Sequence, residues 1–144
     1  MKILLVGEYS RLHNTLKEGL LKLNHKVTLI GNGDGFKNYP VDIKIGAKFF
    51  TKPLLFFISK ALHKLTGISL IELENAYSFY RVLQQLKGYD VVQLINEDCL
   101  KTIPFLEKWL LKKLFKQNKK VFLLSCGTDY ISVKYADDKK FKYS

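Results

Sequence analysis

The hydrophobic positions of this chain form two kinds of pattern, which alternate along its length. Short continuous apolar runs predict strands covered on both faces, as in a parallel sheet. These strands are predicted at residues 2–7, 26–30, 89–95 and 120–125, with an alternating strand at 41–45. Apolar residues at helical spacing lie between them and predict helices at 12–23, 53–66, 72–87 and 103–118. This order predicts an α/β fold, a Rossmann-like doubly wound, mostly parallel sheet with helices on both faces.

Particular residues mark the ends and faces of the predicted helices. The first helix has two candidate N-caps, Ser10 and Thr15, the second followed by a glutamate at capping-box spacing. Asn24 is expected to end this helix, because Asn tolerates the left-handed conformation. A proline opens the second helix, as is common at a first helical position. The buried face predicted for the third helix consists of Leu73, Ala76, Tyr80 and Leu83.

The composition indicates one domain with an excess of positive charge. The 144 residues suffice for a single domain with its own core. Lys and Arg number 24 against 13 Asp and Glu, a net charge of +11, and the only arginines are Arg11 and Arg81. Such a lysine-rich chain suits diffuse attraction to an anionic surface, either nucleic acid or an acidic membrane leaflet. A solvated lysine-rich face without a partner is the alternative.

Features that the sequence lacks indicate the cellular compartment of the protein and argue against a metal site. It has no apolar run of about 18 residues, as a transmembrane helix requires. The apolar stretch at its start is too short for a secretory signal. We therefore expect a cytoplasmic protein, in which Cys99 and Cys126 are buried thiols and not a disulfide. No Cys or His spacing indicates a metal site.

Polar side chains follow three of the predicted strands, at the edge where ligands bind to open parallel sheets. The three loops contain GEYSRLHN, NED and CGTDY. Glu8 directly follows its strand and is an acid–base candidate, since a carboxylate there would deprotonate a substrate hydroxyl. His13 would either face the ligand or lie on the outer side, and Asp129 would alternatively cap a turn. The residues brought to this rim are Glu8, Tyr9, Ser10, Arg11, His13, Asn14, Asn96, Glu97, Asp98, Thr128 and Asp129.

Two nucleotide-binding classes are excluded by missing motifs. The first strand is not followed by GxGxxG, and no acidic residue ends the second strand, which argues against a dinucleotide-binding dehydrogenase. The P-loop pattern GxxxxGK[ST] is also missing. The glycine-rich GNGDG at 31–35 precedes no clear helix and is interpreted as a flexible turn, with contact to a phosphate as the alternative.

The segment 48–65, KFFTKPLLFFISKALHKL, is aromatic, aliphatic and basic together. On a helix from residue 54, one apolar face is formed by Leu54, Ile58, Ala61 or Leu62, and Leu65. Two phenylalanines broaden this face beyond what one sheet contact needs, which favours an interfacial helix on anionic lipid. The alternative is a helix packed on the sheet with a solvated basic face. The residues expected to contact the membrane are Phe49, Phe50, Lys52, Phe56, Phe57, Lys60 and Lys64.

Three segments of the chain carry a family resemblance. They are MKILLVGEYSRLHNTLKEGLLKLNHKVTLI, GYDVVQLIN and KKVFLLSCGTDY. Together they resemble the N-terminal domain of GT-B glycosyltransferases, notably the family-4-type enzymes of bacterial surface-polysaccharide synthesis. LKLNHKV is similar to the family's entry to the second strand, with Asn24 where Gly is common. SCGTDY is similar to a loop that often reads His-Gly-x-Asp.

The resemblance implies an acceptor-binding domain, while a C-terminal domain binds the nucleotide-sugar donor. No cofactor is expected in this domain itself. The family's usual histidine is missing, so the implied catalytic base is Glu8, Glu97, Asp98 or Asp129. The residues implied to bind the acceptor or to approach the donor phosphates are Gly7, Tyr9, Ser10, Arg11, His13, Asn14, Asn96, Asp98, Gly127 and Thr128.

The donor-binding motif of the family has no counterpart in this sequence. We therefore expect the N-terminal part of a longer two-domain enzyme, inactive alone, which acts on a glycan or lipid-linked acceptor. Some family members reach such acceptors through a basic hydrophobic helix at the inner face of the membrane, and 48–65 matches this description. The alternative is a non-catalytic, membrane-recruiting subunit of a split glycosyltransferase with a separate donor-binding subunit. Nucleic acid is not expected as a partner, since no RNP-like strand or recognition helix is present.

Overall fold

The computed structural model describes residues 1–124, together with Cys126 and Lys134. The predicted strands and helices all correspond to elements of the structure, with shifted ends. In chain order they are β1 (Lys2–Val6), α1 (Leu12–Lys22), β2 (Lys26–Gly31), a 3-10 turn (Gly35–Lys37), β3 (Ile43–Lys44), α2 (Pro53–Thr66), α3 (Leu70–Leu83), β4 (Val91–Leu94), α4 (Pro104–Lys116) and β5 (Lys120–Leu123).

The strands form one five-stranded sheet in the order β3-β2-β1-β4-β5, and every neighbouring pair is parallel. Leu4 of the central β1 stands opposite Thr28 of β2 and Val92 of β4. β2 and β3 lie on one side of β1, and β4 and β5 lie on the other side. The direction in which successive strands are added therefore reverses between β1 and β4. The predicted Rossmann-like α/β fold is confirmed, and all carboxyl ends of the strands lie at one edge.

Helices cover both faces of the sheet, because successive side chains of each strand point to opposite faces. On one face, Leu4 packs in a large cluster with Phe79 of α3 and Leu114 of α4, all without exposed surface. On the other face, Leu5 and Leu29 pack in a smaller cluster against the apolar side of α1. The burial of these side chains removes a large apolar surface from water, and it holds α3 and α4 on one face of the sheet and α1 on the other.

The first helix is capped differently from the prediction. Its N-cap residue is Arg11, in the left-handed conformation, and its side chain makes no cap hydrogen bond. The predictions that Ser10 or Thr15 caps it are therefore wrong. The predicted helix stop is confirmed, since Asn24 follows the helix with φ of 59°.

The third helix begins and ends earlier than predicted. Its N-cap is Ser69, whose Oγ accepts a hydrogen bond from the Glu72 amide at 3.3 Å. On the predicted inner face, Ala76 and Leu83 are buried, whereas the other two members are exposed. Phe79 fills the core in their place, because the helix is rotated relative to the predicted face.

The second helix lies largely outside the core. Ser59 is its only buried residue, and its main neighbour is α3. Leu54 is 75% exposed and Leu65 is 83% exposed, so the predicted apolar face is open and not packed on the sheet. The alternative of a helix packed on the sheet with only a solvated basic face is therefore wrong.

Among the described residues, no single helix is long and apolar enough to cross a membrane. The pair α2 and α3 meets that test by length and composition only when taken together, and it is bent by 107°.

Candidate functional site

The ends of β1 and β4 pack closely at the point of strand reversal, where doubly wound sheets commonly bind ligands. Gly7 follows β1 with φ of 85°, and a Cβ on it would stand 2.4 Å from Cγ2 of Ile95 and 3.2 Å from Cβ of Cys99. The Gly7 amide donates to the carbonyl of Ile30 at 2.8 Å. These contacts join the ends of β1, β2 and β4 tightly and leave no room for a side chain at residue 7.

Glu8 is buried beneath the first turn of α1. Its carboxylate accepts hydrogen bonds from the amides of Tyr9 at 2.8 Å, His13 at 3.3 Å and Asn14 at 2.9 Å. It also accepts one from the Asn14 side-chain amide. The first amides of a helix lack intrahelical partners and carry partial positive charge, so Glu8 acts as the side-chain cap that Arg11 does not provide. The acid–base role of Glu8 stays a prediction, and its hydrogen bonds here are structural.

His13 has no exposed surface and lies between α1 and the sheet. Its Nδ1 donates to the carbonyl of Gly7 at 2.7 Å, and its Nε2 accepts from Gln93 at 3.4 Å, which fits the neutral ring. Burial lowers the pKa of His13, against the opposing effect of the bond to Gly7. The predicted placement on the outer side is therefore wrong, and a ligand-binding role of His13 stays a prediction.

The exposed part of the loop after β1 is bound to carboxylates of α1 and of the loop after β2. The Ser10 amide donates to Asp34 at 2.9 Å, and Lys37 Nζ donates to the same carboxylate at 2.8 Å. Burial acts to raise the pKa of Asp34, but the hydrogen bonds from Lys37 and Ser10 outweigh this effect and hold the pKa below its ordinary value. Arg11 is paired with Glu18 at 2.9 Å, which raises the pKa of the guanidinium. The groups implied to approach a phosphate thus have carboxylate partners in this conformation.

The loop after β4 contains one buried polar atom without a partner. Asn96 is half-buried, and its Oδ1 has no hydrogen-bond partner within the part of the chain that the structure describes. Glu97 and Asp98 follow it and are exposed. The predicted residues Gly127, Thr128 and Asp129 lie outside the described residues. The neighbouring Cys126 is half-buried, and its amide donates to the carbonyl of Ile95 at 3.0 Å.

Glu107 is a candidate that the sequence reasoning did not select. It is buried on α4, and its two oxygens accept from the amides of Leu100 and Thr102, both at 3.1 Å. Burial raises the pKa of Glu107 to about 7, and the nearby Asp98 carboxylate acts in the same direction. The available signal was its spacing, since Glu107 lies three and four residues before two core leucines of the same helix.

An open cleft lies at the carboxyl edge of the sheet on the β2–β3 side, away from the strand reversal. Its volume is about 380 Å³. We call it the lysine cleft, and its polar lining consists of Asn32, Lys44, Lys48, Thr51, Asn75 and Lys101. None of these residues was selected from the sequence as a site residue. The signal was the end of β3, which was predicted as a strand but not counted among the loops at this edge.

The residues expected to contact a membrane lie on α2 and on the segment that leads into it. Most of them are exposed, and Phe57 is 69% exposed, while Phe50 is half-buried. Lys52 Nζ stands 5.2 Å from the centre of the Phe49 ring. The helical spacing places Leu54, Phe57, Ile58, Ala61 and Leu65 on one exposed side, which we call the α2 stripe.

Comparisons with protein-family models, with curated proteins and with solved structures found no match to this chain. Within the described residues, no group of three or more His, Cys, Asp or Glu side chains is arranged to hold a metal ion. The functional interpretation therefore depends on the edge of the sheet, the lysine cleft and α2.

Proposed function

We propose that this chain is the acceptor-binding domain of a glycosyltransferase of the GT-B type, working at the inner face of a membrane. The observation that carries the proposal is the exposed α2 stripe, which begins beside the ligand-binding edge of an all-parallel sheet. An acceptor with an apolar anchor and a polar head requires both surfaces side by side.

The acceptor side is supported by the position of the lysine cleft. Thr51 lines the cleft, and α2 begins two residues later at Pro53. The head of a lipid-linked acceptor in the cleft would therefore lie next to the apolar helix. Ligands of open α/β sheets bind at this edge, which agrees with the placement.

The membrane side is supported by the composition of α2. The α2 stripe is flanked by Lys60 and Lys64, which are exposed on the neighbouring side of the helix. This combination is typical of helices that lie in the interface of an anionic bilayer. Each lysine near such a surface contributes about 1 kcal/mol of attraction, and the net charge of +11 adds a longer-range field.

Transfer itself requires a donor-binding unit in addition to this domain. The sequence has neither a P-loop nor a GxGxxG after its first strand. The proposal assigns the nucleotide-sugar donor to a C-terminal domain of the same enzyme. This chain alone is expected to transfer no sugar.

A second candidate is a non-catalytic, membrane-recruiting subunit of a split glycosyltransferase. The engagement of Glu8 with the amides of α1 favours this candidate, because that carboxylate is not presented to the open edge. The mass of the native polypeptide distinguishes the two candidates. A mass more than twice 16.7 kDa supports the two-domain enzyme, and a mass of 16.7 kDa supports the separate subunit.

The acceptor role is tested by binding, without any need for turnover. Amide NMR spectra of the chain are recorded during two titrations. One adds free oligosaccharides, and the other adds lipid-linked oligosaccharides embedded in small bicelles. Saturable shifts in the loops after β1 to β4 are expected for at least one glycan. Shifts confined to α2 would mean membrane binding without acceptor recognition, and would overturn the acceptor role. Sugar transfer by the isolated chain from any nucleotide sugar would contradict the assignment of donor binding to a separate domain.

A further inference from the structure

The lysine cleft carries positive charge that its own lining does not neutralise. Lys44, Lys48 and Lys101 line it, and none of the described Asp or Glu residues does. Lys44 Nζ donates to Oδ1 of Asn38, a neutral acceptor, at 2.6 Å. In the described part of the chain, neither of the other two ammonium groups is in an ion pair.

The nearest acidic side chains are engaged elsewhere. Asp34 feels the charge of Lys101, but its carboxylate is paired with Lys37 at 2.8 Å. Glu74 lines an adjoining cleft with Lys44 and Lys48, and its carboxylate accepts from three consecutive amides, those of residues 48–50, at 2.8 to 2.9 Å. Its negative charge offsets one of the three lysines, so the balance stays positive. The cleft therefore presents a field that attracts anions.

The side chain of Asn75 holds together the two backbone segments that carry Lys48 and Lys101. The Asn75 side chain accepts from the Ala47 amide and donates to the Lys101 carbonyl, both at 2.7 Å. It thereby ties the segment after β3 to the turn that carries Lys101, which has φ of 53°. Lys48 and Lys101 both line the cleft, and the bonds of Asn75 hold the two backbone segments that carry them, so the backbone needs little further ordering when an anion binds.

We propose that the lysine cleft binds a phosphate or diphosphate group. Lysine binds phosphate as a compact point charge, and several lysines around one cavity suit a group with more than one negative charge. A volume of about 380 Å³ falls within the range of small-molecule sites, so it admits a diphosphate with part of the group attached to it. That the phosphate belongs to a lipid-linked acceptor rests on the proposed function, but phosphate binding itself does not.

The first experiment is a titration followed by amide NMR, with inorganic pyrophosphate as the probe. Saturable shifts are expected at the amides around Asn32, Ala47 and Lys101. The double variant Lys48→Gln with Lys101→Gln is expected to bind about tenfold more weakly or worse. The matched control is Lys108→Gln with Lys112→Gln on the outer side of α4, which removes the same charge and is expected to change the affinity by less than about twofold.

The outcomes separate specific binding from general attraction. Equal losses in the two double variants, or shifts spread evenly over the lysines of the surface, would overturn the proposal. Unchanged dispersion of the amide spectrum shows that each variant remains folded, which is expected because all four lysines are exposed.

Two further probes identify the source of the phosphate. Tighter binding of a short-chain isoprenyl diphosphate than of pyrophosphate, with added shifts along α2, would assign the cleft to a lipid-linked acceptor. Tighter binding of a nucleoside diphosphate would keep the phosphate site but assign it to the donor. Binding of pyrophosphate together with no recognition of any glycan would support the cleft and contradict the acceptor role.

Discussion

Gly7, the residue that follows β1, lies directly against Ile95, the residue that follows β4. A Cβ on residue 7 would stand 2.4 Å from Cγ2 of Ile95, and the backbone of Gly7 has φ of 85°. Both the space and the conformation therefore require glycine at this turn. The contact joins the ends of β1 and β4, while the lysine cleft lies on the β2–β3 side of the same edge.

The first prediction concerns Gly7→Ala. The new methyl group would overlap Ile95 in a left-handed backbone, and we expect the free energy of unfolding to decrease by about 2–4 kcal/mol. Gly19→Ala is the matched control, because Gly19 lies within α1 with no atom near its absent Cβ. That change is expected to stabilise the protein by about 0.5–1 kcal/mol. Urea unfolding measures both, and equal effects would contradict the close contact.

The second prediction concerns the cap of α1. Glu8→Gln replaces one accepting oxygen by an amide nitrogen that faces helix N–H groups, and it removes the charge at the helix N-terminus. We expect a loss of about 1–3 kcal/mol in the free energy of unfolding. Glu18→Gln, which breaks only the exposed pair with Arg11, is expected to cost about 0.5 kcal/mol or less. A loss for Glu8→Gln no larger than that control would mean that Glu8 does not cap the helix.

Most of the fold could be predicted from the sequence, because strand and helix periodicities are local. The continuous apolar run at β1 and the helical spacing in α1 are set by neighbouring residues, and the left-handed Asn24 follows from its own backbone preference. Parallel pairing followed from the alternation of strands and helices.

The errors came from contacts between residues that are distant in the chain or in the helical pattern. Glu8 caps α1 from outside the usual capping positions, so no capping spacing could identify it. Phe79 and not Tyr80 is buried, because the docking angle of α3 decides which side of the helix faces the sheet. The lysine cleft depends on Asn75 joining two segments, and neither segment carries a motif by itself.

The third prediction concerns the α2 stripe. Phe57→Ser is expected to reduce flotation with vesicles that contain phosphatidylglycerol by about tenfold, because a buried phenylalanine contributes about 1.5–3 kcal/mol. Phe105→Ser on α4 is the matched control, since Phe105 is 76% exposed and Phe57 is 69% exposed. The stability of both variants is expected to stay within about 0.5 kcal/mol of the parent.

Two results would contradict membrane contact by α2. The first is an equal loss of flotation for Phe57→Ser and Phe105→Ser, which would indicate nonspecific adhesion of exposed aromatic rings. The second is undiminished binding to vesicles of phosphatidylcholine alone, because the flanking lysines are expected to act through anionic headgroups.

Glu107 predicts a dependence of stability on pH, with a defined sign. Burial raises its pKa from an ordinary value of 4.5 to about 7 in the folded chain. Between these values the folded chain retains a proton that the unfolded chain has released. The free energy of unfolding attributable to this group is therefore highest below about pH 4.5 and decreases as the pH rises to about 7. The buried His13 acts in the opposite sense, since its lowered pKa removes stability as the pH falls below its ordinary value of 6.5.

The fourth prediction separates Glu107, together with the neighbouring Asp98, from His13 by a difference measurement. Urea unfolding of the parent and of Glu107→Gln is compared in steps across the same pH window. His13 is present in both proteins, so its contribution cancels in the difference. The variant lacks the titrating carboxyl, and we expect its stability relative to the parent to increase steadily from pH 4.5 to pH 7. The Gln side chain accepts more weakly from the amides of Leu100 and Thr102, which lowers the stability of the variant by the same amount at every pH. This constant cost does not change the slope of the stability difference against pH. A stability difference that does not vary with pH would mean that Glu107 titrates in the folded chain as it does in the unfolded one.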